Sequence, residues 1–182
     1  MRIEKKYLNF DGEIALFEEK PFTGFCVEHV DSIFCVEHFD SIGEQHYKVR
    51  SSLDVFGSEG NYKNGKKDGL WTYWYPEGQK RSESNFKDGV ENGVTTCWYQ
   101  NGQQLSEKHY KNGVEDGVTT YWNSNGQKSS EAHYKEGTLM GPHITWHENG
   151  QMKNKEHYKD GKRESLRTSW HENGQKSTEM HY

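Results

Sequence analysis

Hydrophobic residues in this chain come in short bursts that return on a fixed step. Gly93-Val94-Thr95-Thr96-Cys97-Trp98-Tyr99 is rich in β-branched and aromatic types and runs into Gln100-Asn101-Gly102. A more polar stretch, Gln103 to Tyr110, follows and closes on Lys111-Asn112-Gly113. Runs of this kind, each ended by a glycine turn, predict two antiparallel strands joined as a hairpin. The pattern repeats every 24 residues: Trp74, Trp98, Trp122, Trp146 and Trp170 carry the step, as do Gly78, Gly102, Gly126, Gly150 and Gly174. A second glycine (Gly65, Gly89, Gly113, Gly137, Gly161) and an aromatic column (Phe86, Tyr110, Tyr134, Tyr158, Tyr182) keep it too. The glycines leave no uninterrupted helical window. A strict period of this length predicts a repeat architecture, in which each unit packs only on its neighbours. The fold expected is all-β, an antiparallel array of β-hairpins forming an elongated, twisted, single-layer meander. At about 4.8 Å per strand, five two-strand repeats advance about 48 Å.

Turn chemistry sets which side chains share a face. In Tyr75-Pro76-Glu77-Gly78, a type I turn suits the fixed φ of proline and leaves Gly78 in a left-handed bulge position. The same reading applied to Lys87-Asp88-Gly89 predicts three-residue loops with glycine bulges throughout. With Tyr99 opposite Gln103, Thr96 would face Ser106, and Val94, Thr96, Trp98, Ser106 and Tyr110 would form a regular, structural face. The other face drifts from Trp71, Tyr73 and Tyr75 through Thr95, Cys97 and Tyr99 to Arg167, Ser169 and His171.

Residues 63–182 hold five repeats, and 1–62 read as a degenerate cap. Within the cap lies a nine-residue tandem copy, Phe25-Cys26-Val27-Glu28-His29-Val30-Asp31-Ser32-Ile33 followed by Phe34-Cys35-Val36-Glu37-His38-Phe39-Asp40-Ser41-Ile42. Nine is odd, so one continuous strand would flip the second copy; adjacent strands are expected instead. Nothing in the sequence covers the last strand after Tyr182, and an open edge invites pairing with a second copy.

Composition narrows the function. Hydrophobic residues are only 30% of the chain, too few for a thick core, while aromatics reach 14%, enough to hold a thin sheet through ring contacts. Net charge is −5 with both signs interspersed. No basic stripe exists to neutralise phosphates, which argues against nucleic acid and against anionic lipid. The three cysteines (Cys26, Cys35, Cys97) have no zinc spacing and read as reduced thiols in a cytoplasmic protein. The first residues, Met1-Arg2-Ile3-Glu4-Lys5-Lys6, lack a signal-peptide apolar stretch.

Two columns invite chemistry and fail on spacing. His109, His133, His157 and His181 stand about 9.6 Å apart from copy to copy, too far to share a metal. Glu83, Glu107, Glu131 and Glu179 stand at the same spacing, on an open face without a water-excluding pocket; they read as a charged ladder offset by neighbouring Lys or Arg. No catalytic residue, cofactor or metal is expected. Trp71, Tyr73, Tyr75 and Tyr99 are the candidate anchors for a protein partner, since Tyr and Trp dominate interface energetics; the competing role is packing against the cap.

The stretch from Lys63 to Gln79, with its Tyr-Lys-x-Gly turn, following x-x-x-Gly, tryptophan and Asn-Gly-Gln in later copies, closely resembles the bacterial variant of the MORN repeat, of the kind found in YwqK-type antitoxin proteins. The resemblance is strong over 58–182 and weak over 10–57. It implies a hairpin array that mediates protein contacts, in some members by neutralising a toxin. Two positions depart from it: Ser165 replaces the third glycine, and Lys155 stands where the other copies keep glutamate. No phosphate loop or catalytic-loop signature accompanies the repeats. The expectation is a non-enzymatic protein-binding module, an antitoxin or immunity protein; a self-assembling edge-to-edge scaffold or a peripheral membrane protein is the alternative.

Overall fold

The computed structural model describes the backbone of residues 9–11, 14–17, 20–21, 24–29, 33–36 and 56–181, and side chains over 57–180 except Ser165. All regular structure among these residues is β, an antiparallel open arrangement of hairpins, as the 24-residue period predicts. The chain divides into two compact units, Met1–Val90 and Glu91–Tyr182.

In the first unit, β1 (Asn9–Asp11), β2 (Ile14–Phe17) and β3 (Lys20–Pro21) form a small antiparallel sheet. β4 (Gly24–His29) lies between β5 (Ile33–Val36) and β6 (Phe56–Lys63); β6 then pairs with β7 (Lys66–Trp74), and β7 with β8 (Lys80–Lys87). The tandem copy does open two adjacent strands: Phe25 pairs with Val36 and Val27 with Phe34. The end of the second copy, 37–42, lies outside the described residues.

The second unit is a run of antiparallel neighbours. It comprises β9 (Val90–Trp98), β10 (Gln104–Lys111), β11 (Val114–Glu115), β12 (Gly117–Trp122), β13 (Lys128–Lys135), β14 (Thr138–Trp146), β15 (Met152–Lys159), β16 (Lys162–Trp170) and β17 (Lys176–His181). β10 pairs with both β11 and β12, because the ladder breaks around Asp116, whose N–H reaches the His109 carbonyl at 2.8 Å. Tyr182, the last member of the aromatic column, lies outside the described residues.

The two turns of each repeat differ in kind. On the tryptophan side the three-residue loop holds: the Tyr99 N–H bonds the Gln103 carbonyl at 2.8 Å, the Gly102 N–H bonds the Tyr99 carbonyl at 2.9 Å, and Gly102 has φ 83°. On the other side the expected bulge loop is replaced by a two-residue turn. Lys111 pairs directly with Val114, with Asn112 at φ 52° and Gly113 at φ 83°. Two successive positive φ values define a type I′ turn, whose twist matches that of the strands. Asn64, Asp88 and Asp160 tolerate this conformation well, and even Glu136 adopts it at φ 50°, at a cost of about 1–2 kcal/mol that the ladder on both sides offsets.

Facing residues also differ from expectation. Gln104 pairs with Trp98, but Ser106 pairs with Cys97 and Glu107 with Thr96, so an extra residue on β10 shifts the register by one. The same shift recurs beside Trp74, Trp122, Trp146 and Trp170. A one-residue slip exchanges faces. Ser106 and Tyr110 therefore stand with Thr95 and Cys97, not with Val94, Thr96 and Trp98. In the first unit the face holding Trp71 and Ser84 is the more buried one, and in the second the face holding Thr95, Ser106, Thr119, Ala132 and Glu156. Within each unit the tryptophans of the 24-residue column, all half-buried, lie on the opposite side. With so few aliphatics, the buried positions are mostly small hydroxyl side chains.

Candidate interaction surface

Two columns of the more buried faces change along the chain (Gly60, Ser84, Lys108, Ala132, Glu156 and Trp71, Thr95, Thr119, His143, Arg167). Beside them a serine column (Ser82, Ser106, Ser130) and an aromatic one (Phe86, Tyr110, Tyr134, Tyr158) hold their chemistry. In the first unit the face is aromatic. Trp71, fully buried at 0% exposure, meets the edge of Tyr62 (centroids 5.1 Å apart) and donates its indole N–H to the Asn61 carbonyl at 3.0 Å. Lys67 Nζ sits 3.9 Å from the Trp71 ring centroid and 3.1 Å from the Tyr73 hydroxyl. This arrangement satisfies the ammonium with a π face and an acceptor. Gly60 makes it fit, because any Cβ there would lie 2.4 Å from the indole. Arg81 extends over the outer side of the Tyr73 ring, 5.8 Å from its centroid.

Early in the second unit the face becomes an ion-pair cluster. Lys108 Nζ donates to Glu115 Oε1 at 2.7 Å, and the Thr119 hydroxyl reaches Glu115 Oε2 at 3.2 Å. Burial alone would disfavour the Lys108 charge, yet hydrogen bonds to Glu115 and Tyr121 outweigh it and raise the lysine above its ordinary value. Burial likewise pushes the Tyr110 and Tyr134 hydroxyls up, with the nearby Glu115 carboxylate adding to the effect.

Toward the end of this unit the face turns basic around one acid. Glu156, 8% exposed, lies 3.3 Å from Arg163 Nη2 and 3.2 Å from Arg167 Nε, and accepts from the Tyr158 hydroxyl at 2.9 Å. His143 Nδ1 stands 3.8 Å away. Three cross-strand neighbours at these positions are matched in size or charge: Gly60 lies against Trp71, Ala132 pairs with His143, and Glu156 with Arg167.

The opposite face carries the glutamate ladder, paired with lysine in three copies, Lys80 with Glu83 and Lys128 with Glu131 at 2.6 Å and Lys176 with Glu179 at 2.8 Å. Glu107 departs from the expectation and accepts from the Gln104 amide at 3.4 Å. Where the glutamate is lost at Lys155, its lysine partner is lost too, at Met152. Two histidines of the column are taken up singly: His109 bonds the Val118 carbonyl at 2.7 Å and His157 lies 3.3 Å from Glu164. Among the described residues no three His, Cys, Asp or Glu side chains converge to hold a metal.

A further ladder runs along the tryptophan-side turns. Asn101, Asn125 and Asn149 each accept the N–H of the residue two ahead and donate to a carbonyl of the next repeat (Ser124, Glu148 and Glu172). Tyr99 Oη bonds the Trp122 carbonyl at 2.8 Å, and His147 Nε2 the Trp170 carbonyl at 2.9 Å. The recurrent Asn-Gly-Gln was the sequence signal for this ladder.

The four expected anchors thus have different places. Trp71 is interior and offers no area to a partner, because Gly60 opens the space into which it sinks. Tyr73 and Tyr75 are half-buried in the first unit. Tyr99 is half-buried in the second unit, with its hydroxyl holding the next repeat. Tyr121, 37% exposed on the Lys108 face, is an aromatic the sequence reading had left out.

The family model described as the MORN repeat variant matches residues 67–88, 91–112, 115–136 and 141–160. Such repeats are generally protein- or membrane-interaction modules, and the family is a non-catalytic repeat module. No curated protein matches the chain.

Proposed function

We propose that this protein is a cytoplasmic, non-enzymatic binding module that recognises a partner protein through its graded face, and that the partner is a toxin it neutralises by occlusion. The observation that carries the reading is the divergence between the two faces. The tryptophan and glutamate–lysine side repeats itself from copy to copy, as a structural lattice would. On the other side of each unit, one column changes residue at each copy (Gly60 and Ser84 in the first unit; Lys108, Ala132 and Glu156 in the second), as a recognition surface would, beside serine and aromatic columns that stay fixed. Tyr73 and Tyr75 on the first unit, and Tyr99 and Tyr121 on the second, are the rings available to anchor a partner. Trp71, 6.4 Å from Tyr73 between ring centroids, supports that ring by packing within the first unit.

Affinity capture of the tagged full chain from its native cells, followed by stoichiometric identification, tests this. One abundant partner at a comparable molar amount, lost on Tyr73→Ala/Tyr75→Ala with the far-ultraviolet spectrum unchanged, supports the module. A small toxic enzyme as that partner supports the antitoxin role. A protein that captures only itself, with mass rising with concentration, refutes the module in favour of an edge-to-edge scaffold.

A further inference from the structure

The two-residue turns of the second unit are tied to their neighbours by rungs of their own. The Gly113 N–H bonds the Glu91 carbonyl and the Gly137 N–H the Glu115 carbonyl, both at 2.8 Å. The residue after each carbonyl adds a side-chain bond to the same turn. Asn92 Nδ2 donates to Asn112 Oδ1 at 3.3 Å, and Asp116 Oδ2 accepts the Glu136 N–H at 3.1 Å. At the next joint the side chain is a thioether. Met140 Sδ accepts the Asp160 N–H at 3.1 Å, and the backbone rung beside it, from the Gly161 N–H to the Leu139 carbonyl, is also 3.1 Å. Sulfur is a weak acceptor beside a carboxylate oxygen. Of these three joints, the one with the longest backbone bond therefore also has the poorest side-chain acceptor. Met140 is half-buried and lines an open depression of about 410 Å³ with Lys135, Glu136, Thr138 and Asp160. A small oxidant can reach the sulfur there, and an added oxygen has room.

We propose that Met140 is an oxidation site whose sulfoxide tightens this joint. A sulfur lone pair attacks one oxygen of a peroxide, the O–O bond breaks and the S–O bond forms. With hydrogen peroxide, the departing hydroxide takes the proton of the transferred hydroxyl and leaves as water. The sulfur loses two electrons and the peroxide gains them. Such oxidation usually disrupts a protein by placing a polar group in an apolar core. Here the sulfur already faces a donor, and the new oxygen supplies the strong acceptor that Asp116 supplies one copy earlier. The oxygen lies one bond beyond the sulfur, so the side chain draws back into the depression through its flexible torsions. The Asp160 N–H is held more firmly after oxidation than before, and the change is reversible because reductases return the sulfoxide to the thioether. The site lies in the lattice that joins the copies and is independent of the binding-module reading.

The test treats the full chain with hydrogen peroxide. Peptide mass spectrometry locates the added oxygen, heteronuclear NMR reads solvent exchange of the Asp160 amide, and circular dichroism checks the folding of each variant. The expected result is a sulfoxide at Met140 and Asp160 exchange slowed about threefold to tenfold, the range of one net hydrogen bond. Met140→Leu, which keeps the volume and removes the sulfur, shows no response to peroxide at Asp160. Met140→Gln carries an amide oxygen at the same distance along the side chain as the sulfoxide oxygen, and slows the exchange without any peroxide. Treatment with the two methionine sulfoxide reductases, one per epimer, restores the original rate in the oxidised wild type. A Met140 that stays unoxidised when the exposed Met180 is fully converted overturns the proposal. So does unchanged or faster Asp160 exchange in the sulfoxide form or in Met140→Gln, or an equal peroxide response in Met140→Leu.

Discussion

Replacing Gly60 with alanine isolates the packing that turns Trp71 inward. The added Cβ would stand 2.4 Å from Trp71 Cδ2 and 2.5 Å from Cε2 and Cγ. Carbon atoms settle at about 3.5–4.0 Å, so the overlap is about 1 Å against three ring atoms. The indole has no direction in which to yield easily, since the Tyr62 edge, the Lys67 ammonium and the Asn61 carbonyl already surround it. Gly60 lies outside the left-handed region, so alanine carries no backbone penalty and even gains a few tenths of a kcal/mol in strand propensity. Overpacking of this kind costs about 1–3 kcal/mol, and losing the indole hydrogen bond adds about 0.5–1.5 kcal/mol. Gly60→Ala should therefore destabilise by about 3 kcal/mol in urea unfolding followed by far-ultraviolet circular dichroism. Trp71→Ala alone should cost about 3–5 kcal/mol, and adding Gly60→Ala to it should cost almost nothing more, because the clashing atoms are gone. A Gly60→Ala protein within 0.5 kcal/mol of wild type, or an equal penalty in the Trp71→Ala background, would refute the steric argument.

Asn149→Ala removes an acceptor for the Gln151 N–H and the donor to the Glu172 carbonyl; with both bonds exposed, the expected loss is about 1 kcal/mol, read by urea unfolding, and no loss would show the rungs to be idle. At alkaline pH the signs are fixed by direction. Tyr110 and Tyr134 are raised, so the unfolded chain ionises first and stability falls above about pH 10. Lys108 is raised as well, and its contribution is complete below the ordinary lysine value and lost as pH rises through the folded one. Melting temperatures should decline from pH 9 to 11, with two tyrosines ionising late by absorbance at 295 nm; a rise in stability over that range would reverse the assignment.

The period made the hairpin array legible, and the proline in Tyr75-Pro76-Glu77-Gly78 gave the tryptophan-side loop. That proline misled on the other loop, where Asn112-Gly113 and its counterparts form two-residue turns. The face assignment then failed on Gln104 and Leu105. A bulge adds a residue without any compositional mark, since Leu105 looks like an ordinary strand residue. The more regular face reads as structural, and the tryptophan column does stand on the regular, ion-paired side; that the other side is the more buried one depends on the bulge and has no mark in the sequence. Trp71 stands out in the sequence as a candidate anchor, but its inward place depends on Gly60, eleven positions earlier on the neighbouring strand. That partner could have been found, because the same column reads Ser84, Lys108, Ala132 and Glu156 in the later copies, each set against its own cross-strand neighbour.

The asparagine rungs have a consequence for how such a chain changes length. Each turn offers a donor to the turn after it and a carbonyl to the one before. A duplicated 24-residue segment with such an asparagine would therefore arrive carrying both halves of the joint between any two of the asparagine-bearing copies; the first copy has Glu77 at this place. Growth or shrinkage by whole units disturbs neither junction, so gene duplication can lengthen the surface without new contacts having to evolve. The nine-residue repeat in the N-terminal strands records duplication on a shorter step. The graded face can then be rewritten one copy at a time, by exchanging a cross-strand pair such as Gly60–Trp71 for one such as Glu156–Arg167, while the turns that hold the units in line stay as they are.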